Sequence, residues 1–527
     1  MNAPAAEAVN LPPTSLATSR PKPYRGHKSG RTTMGATVPV NAEASRQIFL
    51  VAGERIQSPS ADVAQRLLAA AHAVRARPMC LRTAGGVAMY IARMAPERYI
   101  VKRMPDTGML HAPSCPSYLP PEALSGLGQV LGGAIEESVD TGLTVLRLGF
   151  RMARNERPAQ RTTAASGGQV GSARADGTRL TLRAVLHYLW QEAGLTTWSP
   201  GMTGKRNWRV VSWHLRQAAR GKLIRGKPLT ARLFVPEPFN AEHKAELAAR
   251  RLSAWAPARR AGRASPFMIV VGEVKAIEHA RFGHNLMIKH LPDAPFMLRR
   301  DLHRRILPRF STELDLWQMV EPGHLIVIAT FSLGPGGVPT VEELSLTMTD
   351  EHWLPYESLA EKLLLDAATR QRRRFTKSLR FNLDESAPMA SVVFTDTGVP
   401  TAAYVLQEKA ELGDLTTLRG KTGMRIWTWS VGLGAQTTLP RIGGGHSLQG
   451  LPKSGPGTSV SRRVGACRSY RALNRPMRRL LATVYRDQCA SAHGVIPGVL
   501  WRFVDHRRGD RASSARPTGA IQPRRSS

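Results

Sequence analysis

The chain has 527 residues, 42% of them hydrophobic, and a formal net charge of +35. That length exceeds what one core ordinarily serves, so several domains are expected, and no stretch nears the roughly 18 apolar residues of a membrane span. So large a positive charge favours polyanionic partners: DNA, RNA or an anionic membrane face.

Residues 1–44 are rich in Ala, Pro, Ser and Thr, with five Lys and Arg against two Glu. They read as a disordered extension, and no signal peptide is visible in the first twenty. The four cysteines, Cys80, Cys115, Cys467 and Cys489, are too few and scattered for a disulfide framework, which fits a reducing cytoplasm.

Residues 45–150 read as a β-rich module. A strand at 47–51 leads to a turn at Ala52 and Gly53, and Ser60 is a natural helix cap. Val63, Leu67, Leu68, Ala71 and Val74 recur at helical spacing, which predicts a helix over 61–75. Runs 89–93 and 98–102 form a hairpin, 126–133 is a glycine-rich turn and 143–150 another strand. Cys80, His111 and Cys115 offer two thiolates and an imidazole, donors that suit a structural zinc. These are three ligands where a closed site needs four; His72 is the proposed fourth.

Residues 151–178 have linker composition. Residues 179–264 read as a winged-helix-like unit: helices over 180–193 and 206–219, a hairpin of 222–226 with 231–235, then a helix over 240–255. Lys205, Arg206 and Arg209 open the second helix, where basic side chains can reach phosphates and base edges.

Residues 265–429 read as an α/β body. Strands are expected at 267–275, 284–291, 324–331, 344–349, 392–396 and 401–406. A helix with a break at Pro308 is expected over 302–320, and another over 356–375. Glu273 and Lys275 share a strand face, as in metal-dependent nucleases; with no Asp between Asp176 and Asp293, a cross-strand ion pair is the simpler reading. Glu361 on the helix, Asp396 after a strand and Lys409 after the next follow the order of a restriction-endonuclease-like fold, whose chemistry uses magnesium. Residues 430–527 carry seventeen Lys and Arg against three Asp and read as a disordered basic tail.

From about Arg46 to Trp429 the chain resembles a bacterial family of unknown function, number 1173. The likeness rests on blocks such as His111-Ala-Pro-Ser-Cys115, Leu186-His-Tyr-Leu-Trp190, Gly204-Lys-Arg-Asn-Trp208, Val271-Gly-Glu-Val-Lys275 and Lys289-His-Leu-Pro292. Members usually show Cys-x-Cys where this chain has Cys80 and Arg82. The resemblance implies a setting on integrative and conjugative elements, among other proteins of a mobile element.

The expected architecture is α+β and multidomain: an N-terminal β module with a zinc site, a winged-helix-like unit, and a body with a degenerate restriction-endonuclease-like part. The expected function is nucleic-acid binding by a cytoplasmic accessory protein. A metal-dependent nuclease and a protein-interaction scaffold are the alternatives.

Overall fold

The computed structural model describes residues 47–57, 59–95, 97–154, 177–259, 266–385, 387–406, 422–430 and 439–442. The expected extension, most of the linker and nearly all of the basic tail lie outside them. The described residues form an α+β protein with four sheets. Among them, no helix is long and apolar enough to cross a membrane.

Five antiparallel strands make the first sheet, in the order Glu54–Ile56, Phe49–Val51, Met79–Cys80, Val87–Ala95 and Arg98–Arg103. Ala52 and Gly53 both take positive φ, 50° and 87°, which a tight two-residue hairpin requires. The helix Asp62–Ala73 starts one residue later than expected, with Ala61 rather than Ser60 as its cap. It buries Ala64, Leu68 and Ala71 against Phe49, Val51 and Met89.

The central sheet closes on itself. Met268–Ala280 pairs with Gly283–Ile288, which pairs with Phe296–Leu298. That strand runs parallel to Pro339–Asp350, which pairs with Gly323–Leu333. Gly323–Leu333 then returns to the first half of Met268–Ala280. Five strands thus form a barrel in the order first, second, third, fifth, fourth. The first strand serves two neighbours because a bulge between Val274 and Ala276 bends it. Helices Arg300–Arg309 and Ser311–Met319 connect the third strand to the fourth. Pro308 sits inside the first of them, and the break falls two residues later, at Phe310.

Both faces of the first strand are buried, which explains its unbroken apolar run. Met268, Val270 and Val274 point into the barrel with Leu286, Phe296 and Phe331. Ile269 and Val271 point outward into a second core, under helices Leu182–Glu192 and Trp208–Ala218. Each such side chain contributes about 1.5–3 kcal/mol relative to exposure. This second core draws on residues from Leu127 to Phe381, so side chains from all three expected pieces share it.

The two helices are capped as their sequences suggest: Thr181 accepts from the Ala184 N–H and Asn207 from that of Val210. The hairpin after them differs from expectation. Arg225 and Gly226 take positive φ, so Lys222–Ile224 turns back at once into Lys227–Pro228, and Pro228, lacking an N–H, ends the pairing. The expected return strand, 231–235, is instead Leu233–Phe234, which joins the barrel parallel to Ile269 and Val270.

The last sheet runs Arg425–Ser430, Thr401–Leu406, Val392–Phe394, Phe375–Lys377 and Thr197–Trp198. The helix expected over 356–375 is shorter, Leu359–Arg370, because Pro355–Tyr356 pairs with the barrel and Ser358 caps the helix.

Candidate functional site

The N-terminal sheet brings Cys80, on its third strand, beside the loop holding His111 and Cys115. One ligand atom from each lies within 4.8 Å of the others, and all three residues are buried. The two Sγ atoms are 3.7 Å apart, as are Cys115 Sγ and His111 Nδ1. A tetrahedral ion with Zn–S bonds of about 2.3 Å spaces two sulfurs by about 3.8 Å, so the group could hold such a metal. The buried His111 Nε2 has no hydrogen-bond partner in the protein, and burial lowers this imidazole's proton affinity. Burial also pushes the Cys115 thiol up to about 11, against the pull of the Ser117 N–H. His72 does not join the group; its ring lies against Tyr99. Gln47 does, its side-chain amide 3.8 Å from Cys80 Sγ and 3.5 Å from Cys115 Sγ.

The three cations at the second helix part company. Lys205 and Arg209 are exposed. Arg206 folds back, donating to the carbonyls of Leu195, Gly194, Thr197 and His352 and covering the Trp198 ring. It ties the helix start to the fold, a role its place in the sequence does not reveal. Arg209 instead lines a cleft of about 690 Å³ with Trp213, Arg216, Phe239, His243 and Arg250. Trp213 is 50% exposed.

A second basic and aromatic surface lies on the barrel. The turn between its first two strands carries Phe282, 73% exposed, with the Arg281 guanidinium 5.1 Å from its ring centre. Gly283 closes the turn where any Cβ would meet the Leu298 carbonyl at 2.4 Å. His284 and His303 stack beside it, 3.4 Å between centroids, and Arg300 and Arg304 stand exposed on the adjoining helix.

The carboxylates expected to bind magnesium are closed within the fold. Glu361 is paired with Lys377 at 2.8 Å and accepts from the Glu357 N–H at 2.8 Å. Asp396 takes both arms of Arg373, at 2.9 and 2.7 Å, and the Arg374 N–H at 2.7 Å. Lys409 lies outside the described residues. Cys80, His111 and Cys115 are the one cluster of three metal-ligating side chains among the described residues; neither carboxylate belongs to it.

Glu273 is arranged differently. Lys275 is exposed, and the cross-strand partners of Glu273 are His324 and Lys289. Its Oε1 receives His324 Nδ1 at 2.8 Å and Lys289 Nζ at 2.9 Å. Burial alone would raise this carboxyl, and the bonds from His324 and Lys289 bring it below the usual range. Its Oε2 is buried without a hydrogen-bond partner, and His290 Nε2 stands 3.9 Å away. The His324 ring lies flat on Trp353 at 3.9 Å, and His290 on Trp208 at 5.5 Å. Lys289 and His290 belong to a block singled out from sequence; nothing in the local pattern around His324 marks it.

The chain belongs to the family described as "Protein of unknown function (DUF1173)", whose model matches residues 49–432. No curated protein and no solved structure matches the chain.

Proposed function

We propose that this protein binds nucleic acid, with the barrel turn at Arg281 and Phe282 as its principal contact. The exposed phenyl ring carries the reading: a flat apolar face beside guanidinium groups suits an unpaired base and its phosphate. The barrel's strand order, with a helical link before the fourth strand, is that of the oligonucleotide- and oligosaccharide-binding fold, whose ligands lie against this turn and the adjoining strands. That likeness is an analogy of fold. Lys205 and Arg209, with the cleft around Trp213, supply a second run of cations and aromatic surface.

In this reading Cys80, His111 and Cys115 hold a structural zinc, with solvent completing the four and the Gln47 amide donating to the thiolates. The ion would tie the ends of the N-terminal sheet together. The setting is an accessory of a mobile element, as the family resemblance implies, in the reducing cytoplasm that the few scattered cysteines fit.

The test is a salt titration of binding to single-stranded and duplex DNA by the full chain and two variants. Phe282→Ala should weaken single-strand binding by about 1–3 kcal/mol and duplex binding less. The double change Lys205→Ala with Arg209→Ala should shallow the log-affinity against log-salt slope by about 0.9 per lost contact on duplex, or about 0.7 on a single strand. Affinity and slope unchanged in both variants would remove these surfaces from the interface.

A further inference from the structure

Glu273, Lys289, His290 and His324 lie on the barrel's outer face, where the cover of the two helices ends. The apolar side chains Ile269 and Val271 of the same face are sealed under those helices, and Glu273 is the next outward position. A buried carboxylate here needs a reason. Its three neighbours are partly open: His324 is 20% exposed, His290 18% and Lys289 51%.

The hydrogen bonds fix the protons. Ionised Glu273 can only accept, so His324 Nδ1 carries a hydrogen and the lone pair of the neutral ring is on Nε2. His290 Nδ1 accepts from the Phe239 N–H, so its hydrogen is on Nε2, which stands 3.9 Å from the bare Glu273 oxygen. Trp353 and Trp208 hold the two imidazoles in plane. An oriented imidazole with an available lone pair, backed by a carboxylate and beside an ammonium, has the parts of a proton-transfer site. Its surroundings connect it to the cleft of Arg209, whose lining also holds Glu237 and Glu246 paired with Arg250: Phe239 lines the cleft, and His290 lines its continuation toward Asp293.

We propose that this group is a second site which cleaves an RNA strand, with His324 as proton acceptor and Lys289 as proton donor. The proposal rests on the nucleic-acid-binding reading above. His324 Nε2 takes the proton of a ribose 2′-hydroxyl as that oxygen bonds to the adjacent phosphorus. The bond from phosphorus to the 5′-oxygen breaks, and Lys289 gives its proton to the departing oxygen. The products are a 2′,3′-cyclic phosphate and a 5′-hydroxyl; exchange with water then restores both groups. Glu273 is a positioning residue that fixes the imidazole. DNA lacks the attacking hydroxyl, so it binds without being cut.

The experiment incubates the full chain with an end-labelled oligoribonucleotide, its deoxy counterpart and its 2′-O-methyl counterpart, with no added metal, and measures binding in parallel. RNA alone should be cut, leaving cyclic phosphate ends. His324→Gln should lower kcat by about 100-fold or more, and Lys289→Ala should do so to a comparable degree, with melting temperature and RNA affinity retained. Glu273→Gln should lower kcat and leave KM in place. Should His324→Gln alter melting, Lys289→Ala, at a half-exposed position, decides the matter. RNA bound but not cut by the wild-type chain would overturn this proposal and leave the binding reading standing. RNA neither bound nor cut would overturn this proposal, and would overturn the binding reading too if the deoxy strand is also left unbound. Equal cutting by wild type and the identically purified variants would assign the activity to a contaminant and overturn the site.

Discussion

Two sets of buried carboxylates on this molecule are built to opposite ends. Asp396 and Glu361 have their charges met inside the fold, by Arg373 and Lys377, two side chains as buried as they are. Glu273 is equally buried, but one of its oxygens meets no donor, and its partners reach the surface. Residue type and order along the chain do not separate the two sets. What separates them is how many hydrogen bonds each group leaves unmade: a closed pair stabilises a fold, and an open one can act on something else.

The largest effect should come from breaking a closed pair. Asp396→Ala strands the guanidinium of Arg373, which is 2% exposed, and should cost about 3–5 kcal/mol. Urea unfolding followed by fluorescence measures it. A loss below about 1 kcal/mol would mean that the Pro440 carbonyl, which already takes one Arg373 N–H at 2.7 Å, suffices as a partner. That outcome would weaken the contrast with Glu273.

The N-terminal cluster sharpens the comparison from another side, since its ligand atoms are buried together and one of them, His111 Nε2, has no hydrogen-bond partner. Zinc at 1,000 times its dissociation constant should stabilise the chain by about 4 kcal/mol. A chelator should lower the melting temperature of the wild type and leave Cys115→Ser unmoved, with one zinc per chain by elemental analysis in the first and none in the second. A wild-type melting temperature indifferent to chelator would make the two thiols ordinary core side chains.

Local patterns made much of the fold legible. The apolar run at 267–271 marked a strand, which the fold buries on both faces, and the positive φ at Gly53 fell in an expected turn. Pairings between distant segments were not legible. The closure of Met268–Ala280 onto Gly323–Leu333 is set by a bulge and by the length of the intervening helices, neither of which leaves a short-range signature. The strand Arg425–Ser430 was missed because its partner, Thr401–Leu406, lies in parallel across a long connection. The same limit governs the sites. His111 and Cys115 sit four residues apart, so their meeting could be read from spacing. Arg206 looked like its neighbours Lys205 and Arg209, because the carbonyls it binds come from 194–197 and from His352. His324 joins Glu273 across strands that only the closed barrel brings together.

The smallest effect tests two histidines against each other. His324 is 20% exposed beside Glu273, whereas His187 is sealed: it is 3% exposed, and its Nδ1 accepts the Phe381 N–H at 3.0 Å. Burial, reinforced by the nearby Arg183 charge, lowers its pKa from 6.5 to about 3. Below pH 6.5 the unfolded chain therefore takes up a proton that the folded chain refuses. Stability from this group is complete above 6.5 and falls as pH drops toward 3. By pH 5 the loss should be about 2 kcal/mol. His187→Asn keeps an acceptor for the Phe381 N–H, its Oδ1 standing near where Nδ1 does, and removes the titration. Melting temperature against pH should fall less steeply between 6.5 and 5 in the variant than in the wild type. Carboxylates titrate alike in both, so the difference belongs to His187. Parallel curves would mean that the folded chain admits a proton at His187, and the distinction between a sealed and an open histidine would then have to rest on geometry at His324 alone.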